Sequence, residues 1–93
     1  VPVAYQPNWL PRGFYSDRKI KNRFINNADK KQFSIFVDKP KNFSLPDGVY
    51  QKENFILIRK THLHGNQART ITIFGDIDIE SGKKILNSIR ANN

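Results

Sequence analysis

His62 and His64 stand two positions apart, and in a strand both imidazoles project to the same side. That is the start of a metal site, but a tetrahedral centre needs a third ligand and usually a fourth. The chain has no cysteine, and no carboxylate lies close to the pair, so the two read as hairpin-end histidines and no metal is expected. The acids are Asp17, Asp29, Asp38, Asp47, Glu53, Asp76, Asp78 and Glu80. Asp76 and Asp78 are near enough to pair, yet strand termination and helix capping already account for them. Acid–base catalysis needs two carboxylates driven apart in pKa within a cleft. A chain of 93 residues leaves little room for a deep one. Ser16, Ser34, Ser44, Ser81 and Ser88 lack a Gly-x-Ser-x-Gly setting, and there is no glycine-rich phosphate loop. No enzyme is expected, and neither a catalytic residue nor a cofactor is assigned.

The cations carry more information. The net charge is +8, and residues 1–45 hold nine Lys/Arg against three acids. Such an imbalance speaks to partners rather than to fold. An acidic peptide, an anionic lipid or a nucleic acid would each answer it, as would a basic face that is simply solvated. Arg18, Lys19, Lys21 and Arg23 interleave with Tyr15 and Phe24 in the manner of a single-strand platform. No sequence signature of a nucleic-acid-binding module accompanies them. Arg12, Arg18, Lys19, Lys21 and Arg23 are the expected partner-binding residues, and charge alone leaves open which of these partners they meet.

The elements that must position these groups follow from spacing. Ninety-three residues make one domain, with an apolar fraction of 38% helped by seven Phe, three Tyr and Trp9. No apolar run approaches the ~20 residues that span a bilayer. Residues 1–7 read as a linker or frayed end, and 8–93 as a single domain. The start at Val1 suggests an excised domain or mature fragment, with any signal peptide outside it. In Pro7-Asn8-Trp9-Leu10-Pro11-Arg12-Gly13-Phe14 the prolines fix the backbone, Gly13 suits a positive φ, and Trp9 is set to close the core.

A polar first strand is expected from about Phe14 to Phe24, charged in the manner of an edge strand. Asn26–Lys31 reads as a turn. Phe33, Ile35 and Val37 alternate onto the core, with Phe36 opposite. Pro46-Asp47-Gly48 is a turn, Val49–His62 the longest extended candidate, and Ala68–Phe74 its hairpin partner across His64-Gly65-Asn66. A helix starts at Asp78 or Ile79, with Asp78 as cap and Glu80 at the positive end of the dipole. Its face is Ile79, Ile85, Leu86 and Ile89, and Gly82 permits close approach to the sheet. The fold class expected is α+β: an antiparallel sheet of four to six strands with one C-terminal helix packed on one face.

Two blocks carry a family resemblance. Asn8-Trp9-Leu10-Pro11-Arg12-Gly13-Phe14 resembles the opening motif of the C-terminal domain of the MucB/RseB family, regulators of the envelope-stress sigma factor sigma-E. Thr70-Ile71-Thr72-Ile73-Phe74-Gly75-Asp76-Ile77, followed by Ser81–Ile89, is similar to that domain's final strand and helix, and Phe33–Val37 fits the strand between. Asp78 stands where the family pattern has a proline, and the basic strand after Phe14 matches no family motif.

The resemblance implies the smaller domain of a periplasmic negative regulator whose larger N-terminal domain looks like lipoprotein-carrier folds. Proteins of that family bind the periplasmic part of a membrane anti-sigma factor and shield it from proteolysis. They release it when lipopolysaccharide or mislocalised lipoprotein accumulates. The implied partners are thus the anti-sigma factor, lipopolysaccharide or lipoprotein, and the carrier-like domain, with no nucleic acid expected and a periplasmic location. The rival readings are a lipopolysaccharide or anionic-lipid surface on the same basic face, and a single-stranded nucleic-acid module.

Overall fold

Alternation of apolar and polar residues becomes strand wherever a reversal signal closes it. The structure is a computed structural model and describes residues 4–40 and 45–92. In chain order the elements are β1 (Ala4–Pro7), β2 (Tyr15–Ser16), β3 (Arg23–Asn26), β4 (Lys31–Asp38), β5 (Gly48–Lys52), β6 (Phe55–His64), β7 (Gln67–Gly75), α1 (Ile79–Ser88) and β8 (Ile89–Asn92). Six strands form one antiparallel sheet in the order β2-β3-β4-β7-β6-β5, and β1 pairs with β8 in a second, small sheet. The architecture is α+β, with the helix packed on one face of the larger sheet.

Register fixes what that face carries. Ile35 lies opposite Ile73, and Ile73 opposite Ile58, so three strands contribute a row of isoleucines to the same side. Phe33, Ile56, Ile73 and Ile85 are the largest fully buried side chains. Leu86 and Ile89 close the layer from the helix and from β8. Phe24 stacks on Phe33 at 5.0 Å, and Phe14 approaches Phe33 at 5.3 Å.

Gly82 decides how close the helix sits. A Cβ at that position would lie 2.7 Å from the Cδ1 atoms of both Ile56 and Ile58, so any larger residue must displace those two methyls for α1 to keep this depth. Asp78 caps the helix through the Ser81 backbone N–H at 3.1 Å and the Ser81 hydroxyl at 2.6 Å. Arg90 belongs to β8, and its Nη1 donates to the Asn87 carbonyl at 2.9 Å in the last helical turn.

The opposite face of the sheet is open around Phe36, Phe55 and Phe74, each more than two-fifths exposed; the last two stack at 5.7 Å. Residues 45–47 are tied to its other end. Arg59 Nε donates to the Leu45 carbonyl at 3.0 Å, and the Asp47 carboxylate accepts from the Thr61 backbone N–H at 2.7 Å.

Three expectations are corrected. Ala4–Pro7 is not linker: it pairs antiparallel with β8, from Ala4↔Asn92 to Pro7↔Ile89, and Tyr5 packs against the core. The pairing comes from the far end of the chain, so local composition carries no trace of it. The single strand Phe14–Phe24 is a hairpin, because Asp17 reverses the chain: Oδ1 accepts from the Lys19 N–H at 2.8 Å, and Asn22 takes a φ of 65°. Val49–His62 is also a hairpin, β5 and β6, reversing where Glu53 adopts a φ of 56°. Residues 41–44, between the expected Phe33–Val37 strand and the Pro46-Asp47-Gly48 turn, lie outside the described residues.

Candidate functional site: a basic hairpin tip beside a cleft

The turn between β2 and β3 is built by one carboxylate. While Asp17 Oδ1 holds the Lys19 N–H, Oδ2 accepts from Arg23 Nε at 2.9 Å. The Asp17 backbone N–H meets the Arg23 carbonyl at 2.8 Å, closing the hairpin base. The Lys19 N–H first, and the Arg23 guanidinium next, hold the Asp17 carboxyl below its usual range. Asp17 therefore spends its charge inside the turn.

The consequence falls on its neighbours. Arg18, Lys19 and Lys21 are exposed on the tip, with Ile20 exposed among them at 46%. Asp17 is the sole acid before Asp29, so these three cations face no acid in their own hairpin beyond the one already engaged. Arg23 is different: it is half-buried and neutralised by Asp17. Arg12 lies at the other end of β3, where its carbonyl accepts from Asn26 Nδ2 at 3.3 Å and Gly13 passes with a φ of 88°. Of the five cations singled out in the sequence, the fold groups Arg18, Lys19 and Lys21, ties up Arg23 and sets Arg12 apart.

Sequence reasoning missed a concavity at this hairpin's base. A cleft of about 280 Å³ is lined by Tyr5 of β1, Leu10, Ser16 of β2, Asn22 and Phe24 of the hairpin, and Ile35 of β4. Phe24 and Ile35 are buried and form the floor. Ser16 and Asn22 are exposed and bracket residues 17–21 in sequence, so the basic tip adjoins the cleft along the chain. Its wall is the strand expected to be linker, so nothing in local composition announced it.

Trp9 is half-buried and packed against the core, as an anchor would be. The Asn8 and Trp9 backbone N–H groups both donate to Ser88 Oγ at 3.2 Å, and Ser88 Oγ donates to the Ile85 carbonyl at 2.8 Å. One hydroxyl at the end of α1 thus fastens the Trp-Leu-Pro segment. Lys84 Nζ lies 4.7 Å from the indole centre, within cation–π range. His62 is half-buried opposite Arg69, and the His64 side chain lies outside the described residues. Among the described residues, no three His, Asp or Glu side chains gather as a metal site would require. None of their helices is long and apolar enough to cross a membrane.

No family model matches the sequence, and no curated relative does. Solved structures do. The chain is similar over 100% of its length to MucB in a crystal structure of MucB in complex with MucA(peri), with a TM-score of 0.72 and 17% identity, covering 38% of that chain. It is equally similar to a chain in the complex structure of Pseudomonas aeruginosa MucA/MucB, again at TM-score 0.72 and 17% identity, covering 36% of it. The present chain thus has a MucB/RseB-like domain fold, and spans under two-fifths of the solved chains it matches.

Proposed function

We propose that this chain is a non-enzymatic binding domain of a periplasmic negative regulator of the sigma-E envelope-stress response, and that it holds the periplasmic segment of a membrane anti-sigma factor. The observation that carries this reading is the likeness in fold, over the whole chain, to MucB solved with MucA(peri). The basic tip agrees with it. Exposed cations around an exposed apolar residue steer an acidic segment into register, while desolvated apolar contacts supply most of the affinity. The outer strand β2 also leaves one side of its backbone outside the sheet, where an extended chain can align.

A pull-down of a MucA periplasmic segment, run beside lipopolysaccharide and single-stranded DNA, tests the reading. Retention of the segment is expected, and retention of DNA alone sinks it. Reversal of Arg18, Lys19 and Lys21 to Glu should weaken capture at least about tenfold, chiefly through slower association. Circular dichroism should be unchanged, because none of the three side chains supports the fold. Arg23 is kept, since reversing it would set two carboxylates against each other inside the turn. Unaltered capture by the triple variant would move the contact elsewhere.

A second reading has one observation behind it. Ile20 flanked by Arg18, Lys19 and Lys21 also suits an anionic amphiphile, with phosphates on the cations and an acyl chain on the isoleucine. Retention of lipopolysaccharide that the triple reversal abolishes would favour it.

A further inference from the structure

We propose that the cleft under the β2–β3 hairpin receives one large apolar side chain of an extended acidic peptide, whose carboxylates are met by Arg18, Lys19 and Lys21 on the adjoining tip. The proposal rests on the peptide-binding reading above and specifies what in the peptide is recognised. Volume comes first. The cleft holds about 280 Å³ and is more enclosed than the two grooves along α1. An engineered apolar cavity of about 150 Å³ already accommodates benzene, so a phenyl or branched aliphatic side chain fits here.

Chemistry comes second. Tyr5, Pro7 and Leu10 supply apolar wall above a floor of buried Phe24 and Ile35, and Gln6, Ser16 and Asn22 supply polar groups. Polar atoms make up the larger part of the exposed wall, so the cleft would hold an apolar side chain together with the peptide backbone beside it.

Charge selects among occupants. A second copy of this chain would bring the same net charge of +8 to a basic tip and be repelled. A nucleic acid needs exposed rings to stack its bases. The tip offers Ile20, and Tyr15 lies opposite Ile25 on the other face of the hairpin from Ser16 and Phe24. An acidic peptide with one apolar side chain answers the cations and the mixed wall of the cleft together.

The test uses the full chain and two labelled synthetic probes, an acidic twelve-residue peptide with one central Phe and the same peptide with Ala in its place. Anisotropy titration should show the Phe probe binding at least tenfold more tightly. Ser16→Phe and Gln6→Phe each fill the cleft from a different wall, Gln6 lining it from β1. Either variant should abolish the difference between the two probes, bringing the Phe probe to the affinity of the Ala probe measured on the same variant. The melting temperature and the emission of Trp9 report that each variant is folded.

Equal affinity of the two probes for the wild-type chain overturns the proposal, as does a folded variant that still discriminates between them. Variant-sensitive binding of oligothymidylate or lipopolysaccharide, with neither peptide bound, also overturns it. The outcome is separable from the reading beneath it. A MucA segment captured equally by wild type and both variants removes the cleft and leaves anti-sigma binding standing. A wild-type chain that captures no MucA segment removes that reading, and the Phe–Ala comparison still decides the cleft.

Discussion

Asp17 and Asp78 perform related tasks at opposite ends of the fold, each accepting backbone N–H bonds that no ladder or helix can satisfy. The Ser81 hydroxyl, followed by its backbone N–H, keeps the Asp78 carboxyl below the usual carboxylate range. A carboxyl depressed on folding stabilises the fold fully above its unfolded pKa, and that contribution disappears as the pH falls through the folded value. Stability should therefore be level near neutrality and decline below about pH 4. Asp78→Asn keeps the capping geometry without the titration, so its melting temperature at pH 7 should stay close to wild type while the acid decline becomes shallower. Asp78→Ala should lose about 1 kcal/mol at pH 7, or roughly 4–8 °C for a domain of this size. Thermal melts from pH 7 to 2.5 check all three.

Two glycines separate contacts that can yield from contacts that cannot. At Gly75 a Cβ would fall 2.4 Å from the Gln32 carbonyl oxygen and 2.5 Å from the Phe33 Cα, both backbone atoms of the paired strand β4. At Gly82 it would meet the outer methyls of Ile56 and Ile58. Overpacking there costs about 1–3 kcal/mol, and replacing a helical glycine returns about 1. Denaturant unfolding should place Gly82→Ala within about 2 kcal/mol of wild type, and Gly75→Ala below it, with strands β4 and β7 forced apart.

The same elements show what was legible in the sequence. Phe33, Ile35, Val37, the β6–β7 reversal at Gly65 and the Asp78 cap were all readable, because period-2 alternation, turn residues and caps are local signals. The hairpins centred on residues 17–22 and 53–54 were not. Their reversals use Asn22 and Glu53 at positive φ inside polar runs that offer no Gly-Pro punctuation. The basic residues of the candidate site were visible, whereas their partition was not, since it depends on Asp17 choosing Arg23.

On the scale of the molecule, Ser88 and the β1–β8 pair fasten the first described residues to the last. Ser88→Ala removes the acceptor of the Trp9 N–H, while the Asn8 N–H keeps the Ser88 carbonyl at 3.1 Å; the substitution should cost about 1 kcal/mol. Trp9 emission should shift to the red as the indole loosens, while a spectrum and stability like wild type would show the clip to be dispensable. The charge belongs to this scale as well: +8 on a body with a radius of gyration of 13.2 Å favours fast encounters with anionic partners and makes them salt-sensitive.

The antiparallel register of β1 and β8 has a mechanical side. Ala4 and Asn92 are the outermost pair, with Pro7 and Ile89 innermost, so a load applied across the two termini meets the ladder one rung at a time. Peeled in that direction, the small sheet opens like a zip rather than resisting in shear. Tension then arrives at the Ser88 hydroxyl and the cleft wall before it reaches the six-stranded layer. A pull at those two ends is thus expected to part β1 from β8 before it loads the six-stranded sheet.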